Sequence, residues 1–221
     1  MVWSSVHETE ALPMIIKDQK LLNIISYIRA TYGCHTFILY GSRARGDETY
    51  ASDYDLIAIR DDGDMQRHCE LFENDFIDAF IYSEKAIENP DDSFMRIKDG
   101  IVIYQKEDLG NQLLHKVKEK YSQGPKKISQ LERQVITTWS NKMLKRAATE
   151  DIDGNYRRHW LLFDLLEAYF HLRDKWYLGP KESFQWLKSN DPTTYSLFDI
   201  SLRPEASLSN IHALVDKVIS A

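Results

Sequence analysis

Apolar positions change rhythm along the chain, and each change marks a different kind of element. Over 18–31 they fall at Leu21, Leu22, Ile24, Ile25, Tyr27 and Ile28, one face of an amphipathic helix that Gly33 stops. Four short apolar runs follow, at 37–40, 53–59, 75–82 and 101–104, each of strand length and composition. Between them, Asp61-Asp62-Gly63-Asp64 reads as a turn and 65–72 as a helix. Asn89-Pro90-Asp91-Asp92 reads as the start of a short helix through Ile97. Strands interleaved with helices predict a small mixed α/β sheet.

After residue 107 the strand rhythm ceases. Residues 109–121 read as helical, and 122–126, Ser-Gln-Gly-Pro-Lys, as a linker. A long helix is predicted over 128–148, with Ile128, Leu131, Val135, Ile136, Trp139, Met143 and Leu144 near helical spacing. A polar turn at 151–155 separates it from the most apolar helix, 156–176, which Gly179-Pro180 ends. Further helices are expected at 181–188 and 207–220, with Asn190-Asp191-Pro192 between them. The expected architecture is an α/β domain over 1–122 followed by an all-α helical bundle over 128–221, with 1–16 as an arm.

The chemistry concentrates between residues 37 and 56. Gly41-Ser42 breaks the first strand, a polar turn with Arg43, Arg45 and Gly46 follows, and Asp53-Tyr54-Asp55-Leu56 opens the second strand. Aspartates two apart on a strand project from one face, roughly 6.5–7 Å apart along it. Such a pair can hold two divalent ions at the ~3.5–4 Å separation used in two-metal catalysis. Gly41, lacking Cβ, lets backbone N–H groups approach a phosphate, and Ser42 adds a hydroxyl donor.

Gly41-Ser42, ten residues, then Asp53-Tyr54-Asp55-Leu56 resembles the signature of the polymerase-β-type nucleotidyltransferase superfamily. The resemblance implies a third carboxylate on a later strand between apolar neighbours. Phe76-Ile77-Asp78-Ala79-Phe80-Ile81 supplies it as Asp78, with Asp75 as the rival. An α/β domain followed by helices is also similar to the aminoglycoside and lincosamide nucleotidyltransferases, and to minimal nucleotidyltransferase and HEPN proteins fused in one chain. The Arg and His pair of RNase-type HEPN domains does not occur after residue 107, so no RNase is expected.

The resemblance implies transfer of a nucleoside monophosphate, AMP from ATP, to an acceptor hydroxyl, with release of pyrophosphate. Two Mg²⁺ ions would lie on Asp53, Asp55 and Asp78, the phosphates at Gly41 and Ser42, and Arg43, or less so Arg45, would neutralise the triphosphate. The general base is Asp78 or a bundle carboxylate, Glu167 or Glu132, and Lys181 is a candidate for the β- and γ-phosphates. A small-molecule acceptor such as an antibiotic is favoured over a protein or tRNA. The alternatives are a protein- or tRNA-modifying enzyme of a toxin–antitoxin type system, and a non-catalytic nucleotide-binding module.

Charge sharpens the acceptor question. The 221 residues carry a net charge of −6. Up to Ser122 there are 14 Lys+Arg against 22 Asp+Glu, and after it 14 against 12. Long-range attraction to nucleic acid favours a basic balance, which this chain lacks. Cys34 and Cys69 make neither a disulfide framework nor a zinc site. No run approaches the ~20 apolar residues of a membrane span, and the first ten residues carry no export signal. A cytoplasmic protein with no membrane partner is expected; a homodimer is one open assembly.

Overall fold

Asp18 accepts a hydrogen bond from the Leu21 N–H at 3.1 Å and so caps α1 (Gln19–Tyr32), which Gly33 ends in the left-handed region. The computed structural model describes residues 18–149 and 151–220; the arm expected over 1–16 lies outside them. The chain divides into two units, Met1–Lys120 and Tyr121–Ala221.

In the first unit α1 leads into β1 (Thr36–Tyr40), α2 (Gly41–Arg45), β2 (Tyr54–Arg60), β3 (Gln66–Phe72) and β4 (Asp75–Ser83). Two 3-10 segments, Lys85–Ile87 and Asp92–Ile97, precede β5 (Ile101–Tyr104) and α3 (Leu109–Gln123). The sheet order is β3-β4-β2-β1-β5, with β2 and β4 parallel and the other neighbours antiparallel. Leu21, Ile24, Ile25 and Ile28 of α1 bury one face of the sheet, including Phe37, Leu39, Tyr54, Leu56, Ala58, Ile77, Ala79 and Ile81. Alternation sends Tyr40, Asp55, Asp78, Phe80 and Tyr82 to the opposite face. There Phe94 of the second 3-10 segment packs on Tyr82, ring centroids 4.8 Å apart.

The helix expected over 65–72 is instead the edge strand β3. Met65, Cys69 and Phe72 have helical spacing, but the period that decides the fold is two. His68 and Phe72 turn toward α1, where Tyr32 Oη lies 2.9 Å from His68 Nδ1 and Tyr27 packs on the Phe72 ring. Arg67 turns the other way, toward Asp78. Glu73 and Asn74, at φ 47° and 73°, make the tight turn into β4; positive φ at both central residues suits the twist of a two-residue hairpin. The break at Gly41-Ser42 and the start of the polar turn after it also differ from expectation, because residues 41–45 form α2.

The second unit is helical: α4 (Gln130–Arg146), α5 (Ile152–Leu172), α6 (Pro180–Asn190), α7 (Pro192–Ser201) and α8 (Leu208–Ile219). Its core joins Leu161, Leu165, Leu187, Phe198, Ile211 and Leu214, among others. Residues 151–155, expected as a turn, are the start of α5: Asp151 caps it by accepting from the Gly154 N–H at 2.8 Å. Helix α7 was not anticipated; Pro192 at its first turn serves as a helix start. The chain is thus an α/β unit followed by an all-helical one.

Candidate active site

The sheet topology gathers the motif residues. Because β1 and β2 are antiparallel, Tyr40 at the end of β1 pairs with Asp55 at the start of β2. Because β2 and β4 are parallel, Asp55 pairs with Asp78. Strand parity therefore puts Asp55 and Asp78 on the face opposite α1, while Asp53 lies just before β2, close enough for its charge to act on Asp55. Gly41 follows at once, in the left-handed region at φ +72°. A Cβ placed there would lie 2.2 Å from Asp55 Oδ2 and 3.0 Å from its Cγ. Glycine is required on both counts, and the Gly41 backbone is packed on the Asp55 carboxyl.

Electrostatics at this point are strained by like charge. Burial, and then the neighbouring Asp53 and Asp78, push the Asp55 carboxyl up to about 6, while Arg45 and Arg96 pull the other way. A carboxylate set with this excess of negative charge fits a hard divalent cation, which oxygen ligands bind and which would relieve the repulsion. Asp78 has already found a cation. Arg67 Nε and Nη2 donate to Asp78 Oδ1 and Oδ2 at 2.7 and 2.8 Å, a two-pronged pair that engages both oxygens. A metal ion on Asp78 therefore requires Arg67 to move, and the three aspartates do not converge as a ready ligand set.

Arg43, expected at the triphosphate, is used otherwise. Its guanidinium stacks on the Tyr54 ring at 3.8 Å, donates to the Ser52 carbonyl at 2.8 Å and pairs with Asp75 at 3.2 Å. It clamps the turn between α2 and β2 on the α1 side of the sheet, away from Asp55. Asp75, the rival for the third carboxylate, is likewise taken by Arg43 and Lys20. Besides Arg67 and Arg45, the aspartate side carries Arg96, which the motifs did not indicate. Its guanidinium lies 3.9 Å over the Phe80 ring and 5.8 Å from that of Tyr40, Nη2 donates to Tyr82 Oη at 3.1 Å, and its Nε is buried without a hydrogen-bond partner. Its one sequence signal is a lone arginine in the apolar run Phe94-Met95-Arg96-Ile97.

Three further candidates belong to the second unit. Glu132 is a helix cap: its Oε2 accepts from the Ser129 N–H at 2.6 Å and from the Ser129 hydroxyl at 2.7 Å, so its carboxylate is committed at the α4 N-terminus. Glu167 lies exposed on α5, 3.6 Å from His171 one turn on. Lys181 is exposed in the first turn of α6.

Among the described residues, His35, Asp61 and Glu84 bring ligand atoms within 4.8 Å of one another. They sit at the other end of β2 and β4, and Lys106 Nζ already bonds Asp61 and Glu84 at 2.6 and 2.8 Å. That cluster already holds a cation, the Lys106 ammonium, between its two carboxylates. No helix of the described residues is long and apolar enough to cross a membrane.

No protein-family model and no curated protein matches the chain. Among solved structures, a nucleotidyltransferase-like protein from Exiguobacterium sibiricum 255-15 is similar at 15% identity and TM-score 0.41, over 92% of this chain and 74% of that one. At that depth the likeness carries no information on chemistry.

Proposed function

We propose that the chain is a Mg²⁺-dependent nucleotidyltransferase that passes a nucleoside monophosphate, AMP from ATP, to the hydroxyl of a small molecule. One observation carries the reading: Asp55 pairs with Asp78 on a fixed sheet face, feels the charge of Asp53 just before the strand, and has the Gly41 backbone packed on its carboxyl. Asp53, Asp55 and Asp78 are the residues to hold Mg²⁺. When bound, the metal would polarise the phosphates and lower the cost of ionising the acceptor hydroxyl. The acceptor oxygen bonds to the α-phosphorus, the bond to the bridging oxygen breaks, and pyrophosphate leaves with its electron pair. The acceptor proton passes to a carboxylate of the aspartate set. Gly41 and Ser42 hold the phosphates, and Arg96 replaces Arg43 as the neutralising cation.

A net charge of −6 favours a small acceptor over RNA. The test is incubation with α-labelled ATP, Mg²⁺ and fractionated cell extract, comparing the native chain with Asp53→Asn. Label entering a small-molecule fraction, with pyrophosphate released, is expected from the native chain alone. Equal labelling by the variant refutes the site. A second reading, a nucleotide-binding module without transfer, is favoured by the Arg67–Asp78 pair; it gives saturable ATP binding and no pyrophosphate with any fraction.

A further inference from the structure

Helices normally turn one apolar stripe inward and leave the rest to water. Helices α4 and α5 break that pattern. Their inward residues, Met143 and Leu144 on α4 and Leu161, Leu162, Leu165 and Leu166 on α5, fill the core of the second unit. A second apolar stripe faces out on each: Leu131 and Val135 on α4, running up to the half-buried Trp139 that packs against the core, and Tyr156, Trp160 and Phe163 on α5. The spacings, four and four, then four and three, keep each stripe on one helix face. The stripes join, since Trp139 and Trp160 meet edge to face at 5.8 Å and Tyr156 meets Trp160 at 6.3 Å. Leu131 and Phe163 are each 70% exposed, Tyr156 65%, Val135 59% and Trp160 40%.

We infer that this α4–α5 face is the contact between two copies of the chain. Area is the first reason. Residues of this size expose on the order of 600–700 Å² in total at those fractions, above the few hundred usual on a monomer and close to the ~800 Å² each partner buries in a stable interface. Shape is the second. Two helices side by side, each bearing a straight apolar stripe, are self-complementary about a two-fold axis: hairpin lies on hairpin and the contact closes. Charge is the third. The 14 Lys+Arg and 12 Asp+Glu after Ser122 nearly cancel, so this half has no field to recruit a polyanion and none to repel its own copy. The aromatic content is that of an interface centre. The inference is independent of the transfer reaction.

Light scattering and sedimentation of the full-length protein over a dilution series test it. The native chain is expected at dimer mass, with tryptophan emission shifting to the red as dilution exposes Trp160. Trp160→Glu and Val135→Glu, each at an exposed position, should give monomers with native far-UV dichroism. If one variant loses its fold, the other carries the comparison. A native chain that is monomeric throughout the series overturns the inference, as does a dimer that persists in both variants.

Discussion

Adding one methyl group at Gly41 tests the centre of the proposed site, because Gly46 provides a matched control. Both glycines have nearly the same backbone, φ +72° and +73°, at the two ends of α2. A Cβ at Gly46 meets nothing within 4 Å, whereas one at Gly41 would fall 2.2 Å from Asp55 Oδ2. Gly46→Ala should therefore cost only the left-handed conformational penalty, about 1–2 kcal/mol. Gly41→Ala carries that penalty plus the displacement of Asp55. The carboxyl must retreat by about an ångström, at a cost of about 0.5–1.5 kcal/mol for an off-rotamer side chain. The expected losses are thus about 1–2 against about 1.5–3.5 kcal/mol in urea denaturation, Gly41→Ala always the larger of the two. Calorimetric titration with Mn²⁺ supplies the second readout: Gly46→Ala should bind like the native chain, and Gly41→Ala more weakly. Equal stability losses and equal Mn²⁺ affinities in the two variants would refute the packing of Gly41 on Asp55 and the metal role of that carboxyl together.

Asp55 also sets a pH dependence. Its carboxyl, pushed up to about 6 by burial and by Asp53 and Asp78, holds its proton more tightly folded than unfolded. Between about pH 4 and 6 the native state therefore binds more protons, and stability falls as pH rises through that window, by on the order of 2 kcal/mol once partial exposure to solvent is discounted. Asp55→Asn should flatten that slope and stabilise the metal-free protein at neutral pH; denaturation midpoints across the window check it, and an unchanged slope counts against the buried charge. For Arg67→Gln, Mn²⁺ titration without nucleotide should show severalfold tighter binding, since Asp78 no longer has to be released. Weaker binding would instead make Arg67 the residue that holds Asp78 in place for the metal.

How far the sequence carried the reading depends on how local the deciding interaction is. The Gly41-Ser42 break and the Asp53–Asp55 pair lie within fifteen residues, and the sheet pairing sets Asp55 against Asp78, although β2 begins only after Asp53. The core strands were legible for the same reason: Phe37-Ile38-Leu39 or Ile57-Ala58-Ile59 fit no environment but a buried one. Edge strand β3 was not, because its inward positions include His68 and Glu70, polar residues that an apolar count discards. Their partners, Tyr32 and Tyr27, are about forty residues away, and only the folded sheet brings them together.

The edge strand also decides where Arg67 points. Read as a helix, 65–72 gives Arg67 no direction; read as a strand paired Arg67↔Phe80 and Cys69↔Asp78, it puts a guanidinium beside the third aspartate. Arg43 failed in the opposite sense. It stands next to the Gly-Ser break, where a phosphate ligand would be sought, yet the ring of Tyr54 and the Ser52 carbonyl, both across the turn, hold it. Arg96 lies more than forty residues from Asp53 in sequence and reaches the aspartate face only because the 3-10 segment after β4 crosses that side of the sheet. Aspartates of a short motif are thus readable from spacing, whereas the arginines that balance them are assigned by tertiary contact. A substitution at Arg67 or Arg96 should therefore move metal binding and phosphate binding separately, while a change at Arg43 should appear first as lost stability of the α2–β2 turn.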